Sequence, residues 1–457
     1  MQKNDYIQKL KIEKLNHDGV GVATHNGKTV LIGGVAKHEI VNVKVLSVKK
    51  NVAFAKRVSY FARAHSNRAN PKCDVFGKCG GCTLQHLSYV TELEFKRDMI
   101  IETLELEQIK LKAPLNITAS KPDYYYRNKL SLPIRQGAGH KYLIGFFRKR
   151  SHEVIDITDC HLQSFSPSSI IATLKRLMHK FSLAPYDEKN HVGDLRHFTM
   201  RKIGGKAIVC LVGLNSTLHI EFAKEFTFEL KNLFGANVDF YYNYNPDVTN
   251  SIFNNAPASF TLLAGDKAPV VVDGLKMHVH PAGFFQVNDY IRAKLFELVH
   301  DLVVKSNAST VIEAYAGQGV MAAKLAPLVK KAYAIEIALE SVVSGRELAK
   351  LNNIKNLEYI LGDCALELNK LLTDFNKGIL KETTLILDPP RSGVYSEVVN
   401  AILQNTPNTI IYVSCSPTTL ARDLKKFLPL YEITHAHALD MFSKTCNVET
   451  VVCLSKR

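Results

Sequence analysis

Apolar and polar positions alternate through the first sixty residues. Ile40-Val41-Asn42-Val43-Lys44-Val45 sets branched apolar residues against Asn and Lys, the period-two pattern of a strand with one buried face. His25-Asn26-Gly27-Lys28 predicts a tight hairpin turn, because Asn-Gly tolerates positive φ. Many short strands separated by glycine turns predict a small five-stranded barrel of the OB type over 1–60. Residues 61–90 form a loop rich in Cys and Gly. Leu93, Phe95, Met99, Ile100 and Leu104 then recur at helical spacing within 88–110. Strand and helix patterns mix between 120 and 270 with no repeat.

From about 291 the pattern becomes strand–helix alternation. Apolar strands are predicted at 310–315, 331–336, 357–363, 383–388 and 409–414, with helices at 321–329, 338–352 and 418–425 between or after them. Such alternation implies a parallel sheet with helices on both faces. The expectation is an α/β protein: a Rossmann-like domain at 276–457, a central α+β domain at 61–275 and the barrel at 1–60.

Charge adds a partner to this picture. The net charge of +15 is uneven: residues 1–72 hold fourteen Lys/Arg against four Asp/Glu, and 121–150 hold eight against one. Two basic segments on a nearly neutral body suit a polyanion, whose counterions are released on binding. Nucleic acid is the expected partner. Nine cysteines, an odd number scattered through 457 residues, argue for a reducing compartment. No long apolar run suggests a membrane span, and the charged start does not read as a secretory signal. A cytoplasmic monomer is the expectation.

In open α/β sheets, ligands bind beyond the carboxyl ends of the strands. After the first strand comes Tyr315-Ala316-Gly317-Gln318-Gly319, whose glycines let the chain turn close to a ligand. Glu336 follows Tyr315 by 21 residues, at the end of the next strand, where a carboxylate can accept both ribose hydroxyls. These features indicate a nucleoside-containing cofactor without choosing between NAD and S-adenosylmethionine. Asp363 ends the third strand. Asp388-Pro389-Pro390-Arg391 follows the fourth, and its prolines stiffen the loop. Such a loop is characteristic of methyltransferases that present a planar base to a sulfonium methyl.

Cys415 ends the fifth strand and is expected to open a helix, whose N-terminus favours a thiolate. A thiolate facing a methyl donor can add to carbon 6 of a pyrimidine, which makes carbon 5 nucleophilic. A base must then remove the carbon 5 proton. Glu449 is the candidate, since an apolar strand such as 445–454 does not otherwise welcome a carboxylate. The pattern alone also allows an outward-facing Glu on an edge strand.

Cys73, Cys79 and Cys82 lie in a glycine-rich loop with C-x5-C-x2-C spacing, and Cys160 is the best remaining fourth ligand. Four thiolates suit either tetrahedral zinc or an iron–sulfur cluster, and the spacing does not decide between them.

Together these motifs resemble the bacterial RNA uracil-5-methyltransferases, in particular the class with an N-terminal TRAM domain and a [4Fe–4S] cluster that modifies 23S ribosomal RNA. The resemblance spans almost the whole chain: the barrel, the three-cysteine loop, YRNK at 126–129, FFQVN at 284–288, the glycine loop, DPPR, SCSPTTLARD at 414–423 and the stretch from Asp440 to Thr450. It implies a cluster on Cys73, Cys79, Cys82 and Cys160, with Cys415 as nucleophile and Glu449 as base. It also implies S-adenosylmethionine contacts from Gln286, Tyr315, Glu336 and Asp388, with Asp363 beside the adenine. The sequence departs from the family pattern at Val320 and Ser416, each where Asn is usual, at Ser443-Lys444 in place of Pro-His, and at Asn447 in place of His. Two alternatives stand beside this reading. One is an RNA cytosine-5-methyltransferase, which shares the thiolate chemistry. The other is a non-catalytic RNA-binding or ribosome assembly factor, which would need neither Cys415 nor Glu449.

Overall fold

The computed structural model describes residues 1–375 and 377–457. Six strands form the N-terminal barrel: Tyr6–Lys11, Lys14–Leu15, Gly21–His25, Lys28–Ile32, Ile40–Lys49 and Val52–Ala62. Tyr6–Lys11 pairs with Ile40–Lys49, and its continuation Lys14–Leu15 pairs with Gly21–His25. One run of chain therefore holds both edges of the sheet and closes it, which removes the exposed edges. Ile7, Leu10, Val30, Ile32, Val41, Val43 and Val45 fill the inside. At the predicted hairpin His25 pairs with Lys28, and Asn26 and Gly27 both take positive φ, 49° and 72°.

The central sheet runs in the order Val154–Asp156, Tyr142–Phe147, Lys129–Gln136, Leu195–Ile203, Lys206–Gly213, Val238–Tyr244, Phe260–Ala264. Helices Ser168–Lys180 and Ile220–Phe234 supply Leu174, Leu177, Phe222 and Phe226 to its core. Lys206–Gly213 is buried along its whole length, which explains why this region shows little alternation in sequence.

Seven strands build the C-terminal sheet: β1 (Thr310–Ala314), β2 (Lys331–Glu336), β3 (Leu357–Leu361), β4 (Thr383–Leu387), β5 (Thr409–Ser414), β6 (Tyr431–Leu439) and β7 (Glu449–Lys456). Their order is β3-β2-β1-β4-β5-β7-β6. β1 to β5 are parallel, whereas β7 runs antiparallel to both β5 and β6. The expected parallel sheet therefore carries an antiparallel strand inserted between two others. Strand Asn116–Thr118 adds to β6, and Met99, Ile100 and Leu104 of helix Tyr89–Leu106 join the core under this sheet. Residues 89–118, grouped by pattern with the central segment, thus pack on the C-terminal sheet. The strand order reverses between β1 and β4, so the ligand crevice is expected at their carboxyl ends. Among the described residues, no helix is long and apolar enough to cross a membrane.

Candidate active site

The loop after β1 turns three times through positive φ, at Tyr315 (61°), Gly317 (55°) and Gly319 (65°). A Cβ at Gly319 would lie 2.7 Å from the Tyr359 ring, so only glycine fits. A Cβ at Gly317 would meet nothing within 4 Å, leaving that side of the turn open to a ligand. Glu336, at the end of β2, accepts from Gly317 N and Ala338 N, each at 2.8 Å. Buried Glu313, on β1, accepts from Ala322 N (2.8 Å), and burial pushes its carboxyl up to about 8. It ties strand to helix rather than facing the crevice. Tyr315 lies beside Cys364 and Asp363. Asp363 is exposed and caps helix Cys364–Asp374, accepting from Ala365 N (2.9 Å) and Leu366 N (3.3 Å). Gln286 lies just before helix Asp289–Lys305, and its carbonyl accepts from Asn128 Nδ2 (3.0 Å). Carboxylates, an open glycine turn and a phenol at one sheet edge suit a nucleoside with an amino-acid tail. Val320, where the family has Asn, packs against apolar neighbours and offers no polar contact.

The second half of the site gathers at the ends of β4, β5 and β7. Ser414 and Thr450 form the last pair of the antiparallel ladder, Cys415 follows Ser414 just beyond it, and Glu449 precedes Thr450. Strand register thus brings a thiol and a carboxylate 34 residues apart close enough for Glu449 to act on Cys415. Glu449 is only 3% exposed on a strand with partners on both sides, so it is not an outward-facing edge residue. Cys415 does not open the helix as expected. Ser416 is the N-cap, its Oγ accepting from Thr419 N (3.5 Å), and Pro417 takes the first helical position of Pro417–Phe427. A hydroxyl oxygen is a better acceptor for a helix N–H than a thiol. Ser and Asn cap about equally well, so the Ser416 departure preserves the turn. Ser414 braces the same turn, its Oγ donating to Ser416 O and accepting from Ser416 N, both at 3.1 Å.

Electrostatics link these side chains. Burial, then Glu449, raises the Cys415 thiol above its usual range, while Arg391 pulls it back through charge and a hydrogen bond. Burial, then Asp388, holds Glu449 well above the usual carboxylate range, and Arg391 again opposes the shift. Burial also pushes Asp388 upward. Arg391 therefore stands beside Cys415 and Glu449 as their counter-charge. The motif that holds Arg391 assigns it no role. Nor does the motif show what fixes the loop: Thr419 Oγ1 donates to Arg391 O (3.3 Å), Arg422 Nη2 to Ser392 O (2.9 Å), and buried Asp423 accepts from Val394 N (2.8 Å) and Tyr412 Oη (2.9 Å). The run of polar residues after Cys415 was the available signal.

The segment before Glu449 is anchored by buried charge. Lys96, fully buried, pairs with Glu92 (2.9 Å) and Asp440 (2.6 Å). Lys444 pairs with Glu92 (3.2 Å) and Asp123 (2.6 Å). The Lys444 departure thus brings its own partners, and the network ties helix Tyr89–Leu106 to the approach to β7.

Cys73, Cys79, Cys82 and Cys160 all line one cavity of about 410 Å³, with Cys446 and Asn447 also at its wall. The expected ligand set is brought together only loosely. Among the described residues, no group of three or more His, Cys, Asp or Glu side chains is arranged to hold a metal ion. Burial first, and then the neighbouring thiols, raise Cys79 to about 11 and Cys82 to about 12. Thiols raised this far stay protonated and neutral until a cation displaces their protons.

A family model described as tRNA (Uracil-5-)-methyltransferase matches residues 269–457, and a TRAM domain model matches 6–58. An uncharacterized RNA methyltransferase of Clostridium acetobutylicum is 33% identical, the match covering 100% of this chain and 98% of that protein. One of Listeria innocua is 31% identical over 100% of this chain and 98% of its own. The crystal structure of a Pyrococcus abyssi tRNA (uracil-54, C5)-methyltransferase in complex with S-adenosyl-L-homocysteine superposes with a TM-score of 0.77 at 25% identity, covering 98% of this chain and 99% of that one. Uracil methylation is the chemistry that a thiol, a base and a nucleoside crevice at one sheet edge can serve, and this chain belongs to the S-adenosylmethionine-dependent RNA (uracil-5-)-methyltransferase family.

Proposed function

We propose that the protein methylates carbon 5 of a uridine in 23S ribosomal RNA through a covalent bond from Cys415 to carbon 6. The observation that carries this is the meeting of Cys415 and Glu449 at the end of the β5–β7 ladder, with Arg391 and Asp388 acting on both. S-adenosylmethionine supplies the electrophilic methyl group, and Gln286, Tyr315, Gly317, Gly319, Glu336, Asp363 and Asp388 would hold it. Cys415 gives its proton to solvent, with Arg391 stabilising the thiolate, and its Sγ bonds to carbon 6 to leave an enolate. Carbon 5 of the enolate would take the methyl group as the sulfonium–methyl bond breaks and S-adenosylhomocysteine leaves. Glu449 removes the carbon 5 proton, the carbon 5–carbon 6 double bond re-forms, and the Sγ–carbon 6 bond breaks. A carboxylate held above its usual range is the stronger base for this step, and a pKa near the working pH is the favourable one.

We further assign a [4Fe–4S] cluster to Cys73, Cys79, Cys82 and Cys160. Four thiols around one cavity supply the donor set, and Gly81 N donates to Cys79 Sγ (3.3 Å), the kind of hydrogen bond that tunes cluster sulfur. The protein would work as a cytoplasmic monomer, with the barrel at 1–60, the central domain over 61–275 apart from 89–118, and the methyltransferase domain at 276–457 together with 89–118. A transfer-RNA target is the second reading, favoured by the tRNA enzyme that superposes over almost the whole chain. Incubation with labelled methyl donor and either unmodified 23S ribosomal RNA or unmodified tRNA separates the two. 5-Methyluridine in the ribosomal RNA alone supports the proposal. Label in tRNA alone, or in 5-methylcytidine, overturns it.

A further inference from the structure

Strands Lys129–Gln136 and Leu195–Ile203 pair antiparallel, with Lys129 directly opposite Arg201. Alternate residues Leu130, Leu132, Phe198 and Met200 enter the apolar core. The other face carries Lys129, Ser131, Thr199 and Arg201. Arg127 precedes Lys129 by two residues in extended chain, so it extends the same side. Like charges set opposite each other weaken a sheet, and loss of water makes the repulsion worse. Arg201 is only 3% exposed. Burial, then Arg201 and Arg127, pull the Lys129 ammonium down to about 8, and both charged groups acting on it are cations. Burial pulls Arg201 down to about 10. The acid that acts on Arg201 is Asp289, which already receives Asn128 Nδ2 (2.7 Å) and Arg292. Arg201 Nη2 donates to Gly283 O (3.0 Å). Its Nε and Nη1, with Ser131 Oγ, are buried without a partner among the described residues.

Buried cations without an acid partner of their own are costly, and this fold sets buried Arg201 against half-buried Lys129 in mutual repulsion. Their position suggests what relieves them. Arg201 touches Gly283, and Asn128, between Arg127 and Lys129, donates to the carbonyls of Gln286 (Nδ2, 3.0 Å) and Val287 (N, 2.9 Å). The cations thus back the 283–288 segment, which carries Gln286 and a Phe284 that is 72% exposed. Resting on the reading that a uridine in RNA is the substrate, we propose that Arg127, Lys129 and Arg201 form a seat for a backbone phosphate close to the target nucleotide. Half-buried Lys129 and Arg127 reach the phosphate, while Arg201 behind them and the Ser131 hydroxyl supply the unused donors. The phosphate replaces a repulsion with charge-assisted hydrogen bonds.

The test uses the full chain and a fluorescent 20-nucleotide oligouridylate, titrated across a salt series, with heat unfolding measured in the absence of RNA. Lys129→Gln removes one of two repelling charges. It should weaken oligouridylate binding about tenfold and flatten the salt slope by about one, whereas its unfolding temperature should stay equal or rise. Lys129→Arg keeps the charge and should keep the slope. Unchanged affinity and slope in Lys129→Gln would overturn the seat, as would a slope lost equally in Lys129→Arg. Oligouridylate binding requires no particular target, so this outcome is independent of which nucleotide is methylated.

Discussion

Two regions of this protein bury thiols, and they treat them differently. At the strand ends, Cys415 is raised by burial and by Glu449, yet Arg391 stands beside it and opposes both. Around the four-cysteine cavity, burial and neighbouring thiols push Cys79 and Cys82 further up, to about 11 and 12, with only hydrogen bonds pulling back. A fixed guanidinium makes a thiolate available on demand, as a nucleophile that must be released again requires. Cys79 and Cys82, on which no cation acts, remain protonated until a metal takes the protons' place, and Arg127 pulls only on Cys160. On the proposed function, the same residue type is set for turnover in one region and for ligation in the other.

The largest effect that could break this contrast comes from Cys415→Ala, which should abolish both product and covalent RNA adduct. Retained activity would remove the nucleophile from the account. Next, Cys82→Ala should lose iron, acid-labile sulfide and brown colour from anaerobically purified protein. Whatever activity remains should keep the wild-type pH profile, because these thiols lie outside the chemistry. A colourless wild-type protein with one zinc per chain would replace the cluster with a structural zinc site.

Arg391→Met sharpens the contrast. Without its cation Cys415 should behave more like the cavity thiols. An opposite charge at close range shifts a pKa by about one to three units, so the thiolate fraction at neutral pH should fall at least about tenfold. A raised thiol pKa means more protonated nucleophile at neutral pH. The rate of Arg391→Met should therefore recover as pH rises, with its alkaline-going limb displaced upward from wild type. A rate lowered equally at every pH would show that Arg391 acts on something other than the thiol. The smallest effect concerns two arginines on or just past the last barrel strand, outside the lining of the four-cysteine cavity. Arg57 and Arg63 flank the Tyr60 ring at 4.0 and 5.3 Å. Arg57→Gln with Arg63→Gln should flatten the salt dependence of RNA binding by about two phosphate contacts and leave the pH profile unchanged.

Much of the active site could be read from sequence because its residues sit at strand ends, and strand ends are visible where apolar runs stop. Cys415, Asp388, Glu336 and the glycine turn are of this kind. Glu449 stood out as a carboxylate in an apolar strand. Side chains that act across the fold left weaker traces. Arg391 gains its role only when β4 lies beside β5, and Asp423 clamps a loop some 30 residues earlier. Asp363 was read as a strand end although an Asp before a helical run is also an N-cap signal, and the cap is what it makes in the structure. The helix Tyr89–Leu106 joins a sheet that begins two hundred residues later, and such long-range packing has no local pattern. The central sheet was obscure because strands buried on both faces lose their alternation.

The most direct test of the central claim is Glu449→Gln, incubated with unmodified 23S ribosomal RNA and methyl-labelled S-adenosylmethionine. Cys415 and the methyl donor remain, so addition and methylation should proceed. Removal of the carbon 5 proton should then fail, and elimination cannot follow. The account predicts a labelled protein–RNA complex that survives a denaturing gel, absent from Cys415→Ala and from the double variant. A Glu449→Gln protein that releases 5-methyluridine at the wild-type rate, with no trapped complex, would contradict it.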